Sequence, residues 1–202
     1  MALGTATIAY ELRFDAGRIC LDLLATTHPE ERFDSLDVLR AWITGAGLAP
    51  PGTPLAHADA SWLTDFCELR AHIGELVHGL VHGRLAPLPG ASYDNALARV
   101  NEMAGVPPPA PRAVPGEDGA LVRELAAPPE CAQLLGAVAR DAVELLTDPV
   151  ARAGLRQCEG DNCPIVYVDS SRGRRRRWCS SEVCGNRERV ARHRRRAALA
   201  RA

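Results

Sequence analysis

Residues 158–187 read CEGDNCPIVYVDSSRGRRRRWCSSEVCGNR, and the four cysteines in this stretch decide how the C-terminal end of the chain folds. Cys158 and Cys163 form a C-x4-C pair, and fifteen residues further on Cys179 and Cys184 form a second pair with the same spacing. Each pair can offer two thiolates from a tight knuckle, and the intervening segment can fold back to bring the pairs together, which is what a tetrahedral metal site needs. Four sulfurs suit one structural zinc ion, with an iron–sulfur cluster the weaker alternative. Residues 165–168 are β-prone, 169–173 read as a turn, and 176–178 are expected to return as a second strand. After Cys184 a helix is expected over 188–201. Knuckle, hairpin, second pair and helix is the order of a treble-clef-like finger, its last ligand at a helix N-terminus where the dipole favours a thiolate.

Charge separates this end of the chain from the rest. All 24 basic residues are arginine, and 14 of them lie in residues 152–202 against five acidic residues, a net of +9. Residues 1–151 carry 10 arginines and 20 acidic residues, a net of −10. Such asymmetry points to a basic nucleic-acid-binding module joined to something else. Arg174, Arg175, Arg176 and Arg177 precede the third cysteine, and Arg187, Arg189, Arg192 and Arg196 follow the fourth, the last three along one helical face. Phosphates are the natural sink for so much like charge, and arginine can also grip guanine. Asn186 suits either an adenine edge or a helix cap. Trp178 reads as packing for the small metal core.

These residues carry a resemblance. Arg176-Arg177-Trp178-Cys179-Ser180 followed by Cys184-Gly185-Asn186-Arg187 resembles the signature of the CGNR zinc-finger family, with Cys158 and Cys163 at that family's first ligand pair. Tyr167-Val168-Asp169 resembles the aromatic-x-Asp that follows it. Upstream, Leu21-Asp22-Leu23-Leu24-Ala25-Thr26, with Leu39, Trp42 and Leu48 behind it, is similar to the start of the ABATE domain, departing at Leu23 and Ala25 where Phe and Asn are expected. The resemblance implies a stress-induced transcription regulator: a DNA-binding finger behind a sensor or dimerisation domain.

The first 150 residues read mostly as helices. Ser35 is expected to cap a helix bearing Leu36, Leu39 and Ile43, closed by Gly45 and Gly47. Asp59 is expected to cap a longer one with Leu63, Phe66, Leu69, Ile73, Leu76 and Leu80 at steps of three and four. Ser92 is expected to cap a third, Pro128 and Pro129 to open a fourth, and Asp148-Pro149 to supply N-cap and N1 of a last short one. The run 106–111, VPPPAP, reads as loop. Residues 121–125 are expected to form a strand pairing near residues 8–14.

Other candidates are weaker. Cys20, Cys67 and Cys131 stand alone in apolar stretches and read as small buried residues. His78 and His82 have the i,i+4 spacing of metal ligands but no intervening general base. Asp22, inside an apolar run, suits a cap or a functional carboxylate. No phosphate-binding glycine loop, G-x-S-x-G or paired catalytic carboxylates occur, and no catalytic residue is assigned. No segment is long and apolar enough to span a bilayer, and no signal peptide is evident, so the expected location is the bacterial cytoplasm, at the nucleoid.

The expectation is therefore a mainly α protein with a small strand pair, in two parts. Residues 1–151 form a helical ABATE-like part suited to an unknown small-molecule ligand or a homodimer interface. Residues 152–202 form the finger, with zinc on Cys158, Cys163, Cys179 and Cys184 and DNA on the arginines. The competing readings are an RNA-binding or ribosome-associated zinc protein and a zinc-stabilised protein-interaction module.

Overall fold

The caps set the helices. The fold is described by a computed structural model covering residues 12–81 and 91–199. Helix α1 (Ile19–Leu24) runs into a 3-10 turn, Ala25–Thr27. The Ser35 side chain accepts from the Val38 amide and opens α2 (Leu36–Gly45), satisfying one of the orphan donors of a first turn. Asp59 Oδ1 accepts from the Ser61 amide at the start of α3 (Ala60–Val81). Helix α4 (Ala91–Ala104) already includes Ser92, so Ser92 lies in the first turn and not at its cap. Helix α5 (Cys131–Thr147) begins two residues after Pro129, because Glu130 and Gln133 form a reciprocal capping box there. Asp148 caps α6 (Pro149–Ala153) with proline at its first position, as expected.

The expected long-range strand pair is replaced by a local hairpin. Strand β1 (Pro111–Pro115) pairs antiparallel with β2 (Leu121–Leu125), Pro111 opposite Leu125. Closing a five-residue turn costs far less chain entropy than bringing together segments a hundred residues apart. The proline run is thus loop only as far as residue 110, and its last proline starts an edge strand, where a missing donor is tolerated. Of residues 8–14, the part up to residue 11 lies outside the described residues, and 12–14 are not strand.

The helical part is held by one buried stripe per helix. Trp62, Phe66, Leu69, Ile73, Leu76 and Val77 of α3 meet Leu39, Trp42 and Ile43 of α2 and Leu134, Val138, Ala142 and Leu145 of α5, all buried. Helix α4 packs on α3 and α5. Phe33, Trp42 and Phe66 meet edge to face, with ring centroids 5.8–6.3 Å apart, the geometry that places a positive ring edge on a negative face.

The C-terminal part is not a bead on a linker. Strand β3 (Leu155–Gln157) pairs antiparallel with β4 (Val166–Val168), Leu155 opposite Val168. Residues 176–178, expected as the partner of this strand, are not a strand; the returning edge is taken by the residues before the first knuckle. Helix α7 (Cys184–Leu199) follows, beginning at the last cysteine, four residues earlier than the composition predicts. Leu155, Ile165, Val166 and Tyr167 belong to the same buried cluster as the helical core. Helix α1 lies against β4, and α3 against β3.

Candidate metal centre and arginine surface

The two knuckles bring the four thiols into one place. The sulfurs of Cys158, Cys163, Cys179 and Cys184 all lie within 4.8 Å of one another, and all four residues are buried. The Cys179 sulfur is 3.7 Å from that of Cys163 and 3.5 Å from that of Cys184. These distances are far beyond a disulfide bond of about 2.05 Å. They match the edge of about 3.8 Å of a tetrahedron whose centre is about 2.3 Å from each sulfur. The Cys163 contact and burial push the Cys179 thiol well above its ordinary value, and burial raises Cys158. Four buried sulfurs at this spacing fit a tetrahedrally bound divalent ion. Among the described residues these four are the only such cluster; Cys20, Cys67 and Cys131 stand elsewhere.

Local geometry explains how the cysteines converge. Asn162 takes the left-handed conformation at φ 57° just before Cys163, a conformation that asparagine tolerates better than most residues. A Cβ on Gly160 would lie 3.3 Å from Cys184 Cβ and 3.4 Å from Cys158 Sγ, so a side chain there would crowd two of the four cysteines. Cys184 sits at the start of α7, where free backbone N–H groups favour negative charge.

The sulfurs are also addressed from outside. Cys158 Sγ accepts from the amides of Gly160 at 3.4 Å and Cys179 at 3.3 Å. Cys184 Sγ accepts from Arg187 Nη2 at 3.4 Å. Cys179 Sγ accepts from Arg13 Nη2 at 3.3 Å, across 166 positions of sequence. Asp15 holds Arg13 in place with an ion pair of 2.8 Å.

The arginines divide into two sets. Arg176 faces inward: its guanidinium lies over the Tyr167 ring and donates to the carbonyls of Asp15, Trp178 and Cys179. Arg177 pairs with Glu159 at 2.6 Å and lies over Trp178, 5.4 Å from its ring centroid. Arg187 is turned onto the Cys184 sulfur, and Arg189 donates to the Ser181 carbonyl at 3.4 Å. The structure therefore gives Arg176 and Arg187 scaffold partners where the sequence pattern assigned them to nucleic acid. Arg172, Arg174, Arg175, Arg192, Arg194 and Arg196 are exposed and have no side-chain partner among the described residues. Asn186 is exposed inside the first turn of α7, so it is not the cap of that helix.

Asp169 sets the arginine loop. Its carboxylate accepts from the Ser171 hydroxyl and amide with one oxygen and from the Arg176 amide with the other. The Ser171 hydroxyl holds it below the usual carboxylate range. Arg174 within that loop has φ 46°, a left-handed conformation unusual for arginine.

Of the two candidates in the helical part, one has a structural partner and the other falls partly outside the described residues. Asp22 is buried and accepts from the Ala16 amide at 2.9 Å. His78 is exposed, and His82 lies outside the described residues. Sequence reasoning missed Arg13, Asp15 and Ala16, since nothing in their spacing relates them to a site more than 140 residues away.

Two known families match the chain in succession. Residues 17–149 match ABATE, described as "Putative stress-induced transcription regulator", and residues 155–197 match the CGNR zinc finger. A search of curated proteins found no match to the chain. The first match falls on the helical core and the second on the four-cysteine cluster with its arginine-rich helix, and the chain belongs to the ABATE family, with a CGNR zinc finger at its C-terminal end.

Proposed function

We propose that this chain is a DNA-binding transcription regulator in which one zinc ion, held by Cys158, Cys163, Cys179 and Cys184, rigidifies a finger that presents arginines to phosphate. The observation that carries the reading is the division of the arginines. Those facing the metal and the helical part are satisfied, while Arg172, Arg174 and Arg175 of the loop and Arg192, Arg194 and Arg196 of α7 extend unpaired. Unpaired guanidiniums on one small module repel one another in water and are relieved by a polyanion. Arg192 and Arg196, four apart on α7, share a face and can follow one backbone.

In this reading zinc has a structural role, because four thiolates fill a tetrahedral shell and leave no open position for substrate. The function is non-enzymatic, and the helical part, with its acidic balance, serves as sensor or dimer interface and not as a contact to phosphate. Among the described residues no helix is long and apolar enough to cross a membrane, and a cytoplasmic, nucleoid-bound protein is consistent with that. The test is retention of the zinc-loaded chain on duplex DNA, with structured RNA as competitor across a range of salt. Salt-dependent binding that RNA does not displace supports the proposal. Preference for RNA, or no binding to either at low salt, overturns it.

A further inference from the structure

Outside the four cysteines, the strongest feature of the molecule is the strap that precedes α1. Residues 13–17 touch both parts of the chain: the Phe14 ring lies against Gly45 of α2, while Arg13, Asp15 and Ala16 reach the finger. Arg13 donates to Cys179 Sγ, the Asp15 carbonyl accepts from Arg176 at 2.8 Å, and the Ala16 carbonyl accepts from the Val168 amide at 2.9 Å. Gly17 follows with φ +88° and passes close to Val168, its absent Cβ 3.4 Å from that carbonyl oxygen. The strap is tied to α1 in turn, because the Ala16 amide donates to buried Asp22.

The charges explain why an arginine is needed there. Four thiolates on a divalent ion leave two negative charges in a buried place, and burial is costly unless such charge is compensated. Two sulfurs, Cys179 and Cys184, receive guanidinium donors: Arg187 brings a positive charge to Cys184, and Arg13 divides its own between Cys179 and Asp15. Arg187 comes from the finger, four residues into α7. Arg13 comes from the other part of the chain. The basic character of the junction is felt by His28, which is held below its ordinary value by partial burial and by the cations of Arg187, Arg13 and Arg32.

We propose that Arg13 is an outer-sphere residue of the metal centre, through which the helical part controls how tightly the finger holds its metal. This rests on the four-thiolate reading above. Hydrogen-bond donors to ligating groups fix their orientation and temper their donor strength, and losing one typically costs ten- to a hundredfold in metal affinity. Because coupling of this kind is reciprocal, whatever shifts α1 and its strap changes metal retention, and metal loss loosens the strap.

The full-length chain loaded with cobalt(II) tests this directly, since sulfur-to-cobalt charge transfer reports the electron density on the thiolates. Arg13→Met should move that band to lower energy and speed release to a competing chelator about tenfold or more. Arg13→Lys, which keeps the charge but not the fork, should fall between. Asp15→Asn, which removes the anchor of Arg13, should also speed release. Arg112→Met, on the distant β1–β2 hairpin, serves as control for the loss of any arginine. In the unsubstituted chain, metal removal should lift hydrogen-exchange protection at the Ala16 and Val168 amides. A wild-type band and wild-type release rate in both Arg13→Met and Arg13→Lys overturn the proposal, as does protection at Ala16 that is indifferent to metal. If the unsubstituted chain binds no stoichiometric metal, the four-thiolate reading itself fails, which is a different result from loading that ignores Arg13.

Discussion

Tyr167 and Arg176 clasp each other: the Tyr167 hydroxyl donates to the Arg176 carbonyl at 2.6 Å, while the Arg176 guanidinium lies 4.5 Å above the centre of the Tyr167 ring. The ring is fully buried, and burial pushes its hydroxyl up to about 12. One arginine of the basic run is thereby taken into the scaffold, and it carries the strap with it through the Asp15 carbonyl.

Arg176→Ala is therefore expected to destabilise the finger by on the order of 2–4 kcal/mol, since several carbonyls lose a charged donor at once. Arg176→Lys should recover little, because an ammonium cannot reproduce the planar fork. Thermal unfolding of the metal-loaded chain measures this. Full stability in Arg176→Ala would return that residue to the surface set.

The loop arginines should behave oppositely. Arg174→Gly suits the left-handed backbone at that position better than alanine does, so the loop should keep its shape while the charge is lost. Combined with Arg175→Ala, it should leave stability unchanged and lower the slope of log affinity against log salt by up to about two, at about 0.9 per phosphate contact on duplex DNA. An unchanged slope would remove the loop from the phosphate path.

Metal content separates the finger from a merely cysteine-rich core. One zinc per chain is expected, with Cys179→Ser losing most of it. A structural zinc contributes on the order of 10 kcal/mol to so small a module, so chelation should unfold residues 155–197. Because Leu155, Val166 and Tyr167 share a core with the helices, the helical part should also lose stability while remaining helical. Metal analysis and circular dichroism check both statements, and full zinc in Cys179→Ser would contradict the ligand assignment.

Asp22 gives the chain a pH dependence of definite sign. Burial, with the nearby carboxylates of Asp15 and Asp141, raises it to about 7 against the opposing Ala16 amide and Arg13. A carboxyl whose folded value lies above its unfolded value favours the folded state when protonated. Stability from this group is thus full below the unfolded value of about 3.8, falls as pH rises towards 7, and is flat above. The whole change is at most roughly 3–4 kcal/mol. Asp22→Asn should keep the acceptor for the Ala16 amide and remove this slope, making the variant the more stable one at pH 8. Equal pH profiles in denaturant would show that Asp22 is charged without penalty.

The local rules read well from the chain because they are local. Two C-x4-C pairs can only meet by folding back, Ser35 and Asp148 can only satisfy the first amides of the helices they precede, and the buried stripe of α3 follows from steps of three and four. By itself the sequence determined the grouping of the four cysteines and the placing of most of the helices. Partner choice is a different matter, because it depends on which groups lie nearby after folding. Only the tertiary structure decided that β4 pairs with β3 and not with residues 176–178, that β2 turns back on β1, and that Arg176 and Arg187 find partners on the scaffold while Arg174 and Arg175 do not. Neighbouring arginines in a run are indistinguishable until a buried tyrosine or a thiolate selects one. Arg13 is the extreme case: its role at Cys179 rests on a contact between residues 166 positions apart, and such a contact exists only once α1 has packed on β4.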